Sequence, residues 1–337
     1  MTPLRMTPLR VASIGTGRWA GTLVDAARQG IGLALVACTS RSADHRAAFA
    51  RKHGCRDVPT FDAVLADSEV EGVVITTPHS LHAEQIVAAA RAGKHVFVDK
   101  PFTLTVADAR RATEACRAAC VVLALGHQRR RQPASRALKR LIDDGTLGRV
   151  GQIEGNSSAD YGFASTITRD MWRADRAETP GGAMTNLGIH HVDTYQYLLG
   201  PIVRVMAMSR RLVLDIDVED VTAILFEFAS GVLGYLGTSW VPATRTEWIG
   251  VHGTEAQAWH EAHGARLSIL RRGQTEREAV ELGPGEPLVE ELAEFARCVR
   301  ERSRPEVGGE EGIANIAVLE AIVESAKTGR VADVAGR

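Results

Sequence analysis

The chain has 337 residues, 45% of them hydrophobic and 24% charged, which is an ordinary composition for a soluble globular protein. This length exceeds that of one typical domain, so we expect two domains. The formal net charge at pH 7 is -1. With no excess of basic residues to neutralise a phosphate backbone, nucleic acid is not an expected partner.

The cysteines and the N-terminus indicate the cellular compartment. Five cysteines are scattered along the chain without a C-x-x-C pair, which argues against a disulfide framework and for a reducing environment. The opening MTPLRMTPLR is a five-residue duplication without the apolar segment of a signal peptide, so we interpret it as an ambiguous start codon or a cloning remnant, with Met6 as a candidate start. No apolar run reaches the length needed to span a membrane. We expect a cytoplasmic protein with no membrane partner.

The first 125 residues alternate short apolar strands with helical stretches. The predicted strands are RVASIG, LALVACTS, GVVITT, HVFVD and VVLALGH. They are apolar nearly throughout, as expected where both faces of a parallel sheet are covered. Helical runs such as SLHAEQIVAAARAG lie between them. This pattern predicts an α/β Rossmann domain over residues 1–127, with a doubly wound parallel sheet.

After about residue 128 the pattern changes. A helix, PASRALKRLIDDG, is followed by the strand candidates VGQIEGNSSADY, VRVMAMSRRLV, DVTAILFEFASG, VLGYLGTSWV and EWIGVHGTEAQAWH. One long helical segment, TPGGAMTNLGIHHVDTYQYLLG, interrupts them, and two helices are predicted near 288–301 and 311–328. We expect residues 128–337 to form an α+β domain for substrate binding and oligomerisation. Its fold would be an open, largely antiparallel sheet covered by helices on one face.

A glycine motif follows the first strand. The segment SIGTGRWAG has the form G-x-G-x-x-A and opens a helix, which in an alternating domain predicts a dinucleotide site rather than an empty tight turn. The first glycine allows the turn, the second lets a pyrophosphate approach the backbone, and the helix N-terminus supplies amide donors. The predicted cofactor contacts here are Gly15, Thr16, Gly17, Arg18 and Trp19.

The end of the second strand bears on the choice of cofactor. A carboxylate there would bind the ribose hydroxyls of NAD, but this chain has Thr39, Ser40 and Arg41. Serine and arginine can bind a 2′-phosphate that a carboxylate would repel. The sequence therefore favours NADP(H), with NAD(H) as the alternative. Arg46 is a reserve contact, more simply interpreted as solvated.

Three further segments follow strands: TTPHSLH (76–82), VDKP (98–101) and GHQRR (126–130). Ligands bind at the carboxyl ends of strands on an open α/β sheet. For the first segment, backbone contact with the cofactor is a simpler interpretation than catalysis, and Arg129 and Arg130 are expected to be exposed. The further predicted cofactor contacts are Thr77, Pro78, His79, His82, Asp99, Lys100 and Gln128.

Together with GTGRWA and NLGIHHVD, these segments resemble, in order and over nearly the whole chain, the Gfo/Idh/MocA oxidoreductases. That family includes glucose-fructose oxidoreductase-like and inositol dehydrogenase-like enzymes. The resemblance implies hydride transfer between a nicotinamide and a carbinol or carbonyl carbon of a sugar, cyclitol or related polyol. The family's E-K-P lysine corresponds to Lys100, and the histidine of its D-x-G-x-H-x-x-D helix corresponds to His190. This chain departs from both motifs, with Asp99 in place of glutamate and Asn186 in place of aspartate.

The adjacent histidines are expected to face opposite ways. At 100° per residue, an α-helix gathers one polar stripe, which consists of Asn186, His190, Asp193 and Tyr197. His191 falls on the other side with apolar residues and is expected to pack. A zinc site that uses both histidines fails on this geometry, so no metal is expected.

The resemblance also implies roles for these residues. His190 would be the general base in oxidation and the acid in reduction, because a group that titrates near neutrality suits that step. Lys100 would polarise the substrate oxygen and could share the proton. The predicted substrate contacts are Asn186, Asp193 and the pair Trp172-Arg173, which resembles the family's W-R loop.

Two alternatives have the same fold: a non-catalytic regulator that senses the cofactor, and a hydrolase of the glycosidase type that oxidises its sugar transiently with bound NAD. Retention of Lys100 and His190 speaks against the regulator. A homodimer or homotetramer is expected through the second sheet, because both faces of DVTAILFEFASG are apolar. One face of this strand would carry Ile224, Phe226 and Phe228, and the other Leu225 and Ala229.

Overall fold

The computed structural model describes residues 7–164 and 167–335. The N-terminal duplication covers residues 1–10, and its first six residues, including the candidate start Met6, lie outside this part of the chain. Two compact units are present. The first comprises the residues up to Thr103, Ala107–Gln128 and Glu286–Gly312, and the second comprises Leu104–Val106, Arg129–Gly285 and the residues from Ile313 onward.

All six strands of the first unit are parallel, in the order β3-β2-β1-β4-β5-β6. The strands are β1 (Leu9–Ile14), β2 (Leu33–Thr39), β3 (Arg56–Asp57), β4 (Gly72–Ile75), β5 (His95–Asp99) and β6 (Leu123–Gly126). The helices are α1 (Arg18–Ala27), α2 (Ala43–His53), α3 (Phe61–Ala66), α4 (His82–Arg91) and α5 (Val106–Ala118). This strand order confirms the predicted Rossmann sheet.

The first unit differs from the predicted domain 1–127 because a later segment of the chain returns to it. Helix α8 (Pro287–Glu301) packs against α1 and buries Phe295 in the core of this unit. The rings of Phe97 on β5 and Phe295 lie 5.9 Å apart. Because an apolar sheet face must be covered, α8 takes this place, and residues 286–312 belong to the first unit rather than to the expected second domain.

The second unit contains a nine-stranded sheet in the order β14-β13-β12-β11-β7-β10-β9-β8-β15. Its strands are β7 (Val150–Ser158), β8 (Ile202–Arg210), β9 (Val221–Phe228), β10 (Leu233–Ser239), β11 (Thr246–Gly253), β12 (Ala256–Glu261), β13 (Arg266–Arg271), β14 (Glu278–Ala279) and β15 (Ala332–Asp333). Among the described strands of this sheet, β7 and β10 are the one parallel pair, so the predicted largely antiparallel sheet is confirmed. Its helices are α6 (Pro133–Asp143), α7 (Ile189–Leu199) and the part of α9 (Gly309–Thr328) from Ile313 onward.

The two faces of this sheet differ in exposure. On β9 the side chains of Ile224, Phe226 and Phe228 are buried, whereas Leu225 on the opposite face is 55% exposed. Helix α6 packs against β12 and β13, and α7 packs against β7. The sheet is thus covered by helices on one face, as predicted.

Within the described residues, none of the helices combines the length and the apolar character that crossing a membrane requires.

Candidate active site

The predicted cofactor turn lies between β1 and α1. Gly15 has a φ of +105°, and a Cβ added there would lie 2.7 Å from Thr76 Oγ1. The hydroxyl of Ser13 donates to the Gly15 carbonyl over 2.8 Å. The backbone conformation and the close approach of Thr76 both require glycine at this position.

The second half of this turn has room for a ligand. Among the described residues other than Gly17 and its two chain neighbours, no atom lies within 4 Å of the position that a Cβ of Gly17 would take, and Gly17 directly precedes α1. Amide groups in the first turn of a helix have no helical acceptor and favour anions. Arg18 is exposed, whereas the Trp19 side chain packs against the core of the first unit. The turn therefore fits the pyrophosphate of a dinucleotide.

The end of β2 is joined to this turn by a hydrogen bond from Thr16 Oγ1 to Ser40 Oγ, 2.9 Å long. Arg41 is exposed beside it. Arg46 is not solvated, as its place on a helix had suggested, because its side chain pairs with Asp57 and donates to the Ser40 carbonyl over 3.0 Å. The Asp57 carboxylate is thereby paired with a cation of the protein.

The segment after β4 forms a short turn. Thr77 Oγ1 donates to Gln85 Oε1 over 2.6 Å, and Pro78 precedes the 3-10 turn His79–Leu81. The His79 side chain is buried. These contacts hold the turn at the carboxyl edge of the sheet, where its backbone is placed for the predicted cofactor contacts.

His82 lies deeper than this prediction assumed. Its side chain is 1% exposed. Its ring nitrogens each lie 3.0 Å from a backbone carbonyl oxygen, Nδ1 from that of Pro101 and Nε2 from that of Thr77. Both ring nitrogens therefore have partners within the protein, and neither is left to contact a cofactor.

The lysine segment and the residues after β6 share this edge. Asp99 pairs in register with Gly126, so the strands end side by side, and Lys100 directly after β5 is half-buried. The oxygens Asp99 Oδ1 and Gln128 Oε1 are buried and have no hydrogen-bond partner among the described residues. Buried acceptors usually have a donor, from the protein, a water or a ligand. They fit the donors that a bound cofactor and substrate bring.

Asn186 and His190 lie where two kinds of helix meet. Met184–Gly188 forms a π-helical turn, in which the Ile189 amide bonds the Met184 carbonyl, and α7 begins at Ile189. The α-helical spacing therefore does not extend back to Asn186, and the predicted continuous stripe is wrong at that end. Both side chains are buried. Single π turns of this kind are frequent at functional sites.

The carboxylate of Asp193, a predicted substrate contact, is bound by side chains of the second unit. Its carboxylate is 1% exposed and accepts two hydrogen bonds from Arg130, from Nε over 2.9 Å and from Nη2 over 2.5 Å. The Asn315 amide donates to it over 2.8 Å. Asp193 is thus held in a buried ion pair inside the second unit. The expected exposure of Arg130 is wrong for the same reason.

His191 faces packing, as predicted. It is 2% exposed, its Nε2 lies 3.3 Å from the Trp248 carbonyl oxygen, and its ring meets that of Tyr195 edge-on. Burial, the first cause, lowers the pKa of His191 to about 3. A neutral, packed imidazole suits a structural role.

A buried charged cluster around Glu247 was not predicted. Arg129 Nη1 lies 2.9 Å and His263 Nδ1 lies 2.8 Å from Glu247 Oε2. Burial raises the pKa of Glu247, but the hydrogen bond from His263 and the charge of Arg129 outweigh it and keep this pKa below its usual range. Arg129 is 8% exposed, so its expected exposure is also wrong. Its partner is remote in sequence, and no local pattern could have indicated it.

The remaining predicted substrate contacts lie in the second unit. Trp172 and Arg173 form a 3-10 turn, and the Arg173 guanidinium lies 4.1 Å from the centre of the Trp172 ring. Both side chains are half-buried. At this distance the cation is attracted to the face of the aromatic ring. Over residues 7–164 and 167–335, no three His, Cys, Asp or Glu side chains are grouped so as to hold a metal ion.

Both units match known families. Residues 9–127 match the model of the oxidoreductase family with an NAD-binding Rossmann fold, and residues 135–259 match that of the GFO/IDH/MocA C-terminal domain.

Similar proteins include enzymes that act on sugars and cyclitols. The chain is 29% identical over 330 residues to 1,5-anhydro-D-fructose reductase of Ensifer adhaerens, which covers 95% of this chain and 97% of that protein. It is 30% identical over 290 residues to scyllo-inositol 2-dehydrogenase (NAD(+)) of Bacillus subtilis strain 168, with 79% and 78% covered. A crystal structure of a candidate NADPH-dependent oxidoreductase from Desulfitobacterium hafniense DCB-2 superposes with a TM-score of 0.92, at 32% identity over 98% of both chains. With both family domains in order and this similarity along its length, the chain belongs to the GFO/IDH/MocA family of NAD(P)-dependent oxidoreductases.

Proposed function

We propose that this protein is a dehydrogenase or reductase for a cyclic sugar, cyclitol or related polyol. In the oxidative direction a carbinol carbon would lose a hydride, its hydroxyl would lose a proton, and a carbonyl would form. A bound nicotinamide cofactor supplies the hydride acceptor, or the donor in the reverse direction. The observation that carries the proposal is the placement of Lys100, directly after β5, on the same sheet edge as the Gly15–Gly17 turn. Names of the similar proteins support the substrate class.

In the proposed roles, His190 exchanges the proton of the substrate hydroxyl and Lys100 polarises the oxygen. A positioned acid or base of this kind is worth about 10²–10⁴ in rate. Asn186, Trp172 and Arg173 are the proposed substrate contacts. Asp193 is removed from this set because its carboxylate is bound by Arg130 and Asn315.

We propose NADP(H) as the preferred cofactor. Ser40 and the exposed Arg41 stand where a ribose-binding carboxylate would stand, and the Asp57 carboxylate is paired with Arg46. A 2′-phosphate would meet donors there instead of an unpaired anion. The similar proteins include one named for NADPH and one named for NAD(+), so the choice depends on these residues of the chain.

The outer face of the second sheet supports a homodimer or homotetramer. Met208 on β8, Leu225 on β9 and Leu233 on β10 are 65%, 55% and 59% exposed, and Leu225 pairs in register with Met206 and with Tyr235. A contiguous apolar patch on one side of a sheet is typical of an interaction surface, and a second copy would present the same patch. The five free cysteines fit a reducing compartment such as the cytoplasm.

The function can be tested with purified protein, NADP⁺ or NAD⁺, and a panel of inositols, aldoses and anhydro sugars, following the absorbance of reduced nicotinamide. We expect turnover of at least one cyclic substrate, and its loss in Lys100→Met. The matched control is Lys52→Met, which changes an exposed lysine on α2. Cleavage of a glycoside without net use of added cofactor would indicate the hydrolase instead. Cofactor binding without any turnover would indicate the regulator.

A further inference from the structure

His82 connects the two segments that the proposed chemistry depends on. Its ring lies at the start of α4, between the turn after β4 and the segment after β5. One nitrogen faces the Thr77 carbonyl and the other faces the Pro101 carbonyl, each over 3.0 Å. Pro101 is the residue next to Lys100. The imidazole therefore lies between the predicted cofactor turn and the lysine segment.

The two carbonyl partners indicate whether the His82 ring carries a proton on one nitrogen or on both. Carbonyl oxygens only accept hydrogen bonds, and a neutral imidazole has one N–H and one lone pair. A neutral His82 would hold that lone pair 3.0 Å from a carbonyl oxygen, which is repulsive. An imidazolium donates to both carbonyls. The geometry of His82 is therefore satisfied in full only by the doubly protonated ring.

The surroundings of His82 act on this charge in both directions. Burial has the largest effect and holds the pKa of His82 below its usual value, although the negative charge of Asp99 and the backbone groups of Pro101, Thr77 and Phe102 act in the opposite direction. The ring of His79 lies edge-on at 5.7 Å between centres. Asp99 Oδ1 is buried and has no hydrogen-bond partner among the described residues, and the negative charge of Asp99 favours a charged ring. Against the effect of burial, a carbonyl oxygen lies at hydrogen-bond distance from each ring nitrogen, and only an imidazolium can donate to both.

We propose that His82 is a positioning residue: as an imidazolium, it links the Thr77 turn to the Pro101 segment and so holds Lys100 at the cofactor edge. The proposal deepens the dehydrogenase function, and its kinetic part rests on that function. The ring does not touch the reacting atoms in this role. It acts through Lys100 and through the turn that carries the predicted backbone contacts.

Nuclear magnetic resonance tests the protonation state without turnover. Protein labelled with ¹⁵N in its histidine rings would be measured at pH 7, and the His82 signals would be identified by their absence in His82→Gln. We expect two protonated ring nitrogens that exchange slowly with solvent, and loss of the second proton in Asp99→Asn. A single protonated nitrogen in the wild-type protein would overturn the imidazolium.

Binding and kinetics test the positioning role. His82→Phe keeps a flat ring but removes both donors, whereas His82→Gln keeps one donor, and His45→Gln on the exposed surface of α2 is the control. We expect His82→Phe to weaken NADPH binding several-fold and to lower kcat by about 10- to 100-fold, as small misplacements of reacting groups do. His82→Gln should retain part of the NADPH affinity and part of kcat. The apparent pKa of the pH–rate profile should rise in His82→Phe, because a neighbouring cation is lost.

Unchanged NADPH affinity in a folded His82→Phe protein, with an unchanged rate and pH profile, would overturn the positioning role. If the wild-type protein turns over no polyol, the dehydrogenase proposal fails by itself. The ring signals and the NADPH titration would then still decide whether His82 is charged and whether it orders the turn.

Discussion

Removing one partner of the Arg130–Asp193 pair should strongly destabilise the second unit. Both side chains are buried, with 7% of Arg130 and 1% of Asp193 exposed, and the carboxylate accepts two hydrogen bonds from Arg130 and one from Asn315. The substitution Asp193→Ala leaves the guanidinium inside the protein without its anion. Breaking a buried pair in this way costs about 3–5 kcal/mol. For a unit of this size each kcal/mol lowers Tm by roughly 2–4 °C.

The assay is urea unfolding followed by tryptophan fluorescence, with thermal unfolding in parallel. The double variant Arg130→Met, Asp193→Leu removes both charges and should recover much of the loss, because an apolar pair of similar volume avoids the cost of burying charge. The Michaelis constant of the folded Asp193→Ala protein should stay within a few-fold of the wild-type value. A loss below about 1 kcal/mol, together with a large rise in that constant, would refute the structural role and return Asp193 to the substrate site.

Further predictions concern the adjacent histidines, the pH dependence, the cofactor and the assembly. His190→Ala should lower kcat by a factor of about 10²–10⁴ in steady-state assays, with little change in cofactor affinity. His191→Ala should instead lower the free energy of unfolding by about a kcal/mol or more and leave kcat within a few-fold of the wild-type value. The reverse pattern would show that the proton-transfer role was assigned to the wrong histidine. Since His191 has a pKa of about 3 in the folded protein and an ordinary value near 6.5 when unfolded, its neutral form stabilises the fold above pH 6.5, and this contribution is lost as the pH falls toward 3. The difference in unfolding free energy between wild type and His191→Gln should therefore change by about 1.4 kcal/mol per pH unit between pH 6 and 4, and a difference independent of pH would contradict the assignment. Arg41→Ala should weaken NADPH more than NADH in binding titrations, and equal losses would argue against a 2′-phosphate contact. Leu225→Glu should convert the oligomer to a 36.3 kDa monomer by light scattering, and a wild-type protein that is already monomeric would refute the proposed interface.

Local patterns predicted most of the architecture, because the spacing of apolar residues along a short segment distinguishes a helix from a strand. The Gly15–Gly17 motif was recognised from residues that follow one strand, and the structure gives Gly15 the positive φ that the motif requires. His191 was assigned to packing because α7 is a regular helix over this residue. The same reasoning failed at Asn186, where a π turn changes the spacing. Nothing in the residue types of Met184–Gly188 distinguishes a π turn from an α turn.

The errors at charged residues have a different cause. Asp193 was predicted to contact substrate because it falls on the polar stripe of the helix with His190, but its observed partners are 63 and 122 residues away in the sequence. Arg130 was expected to be exposed because isolated charges usually are. A sequence shows which charges are present but not which pairs are buried together. Pairing over such distances is a property of the folded unit.

The return of α8 to the first unit has a consequence for synthesis of the chain. A ribosome releases the sheet strands of this unit within the first 126 residues, but Phe295, which packs against Phe97, is made only after most of the chain has left the exit tunnel. Domains generally fold as units while synthesis proceeds. The part of the first unit that α8 covers in the folded protein has no helix over it until residues 286–312 are made. During that interval this face is exposed to chaperones and to other nascent chains.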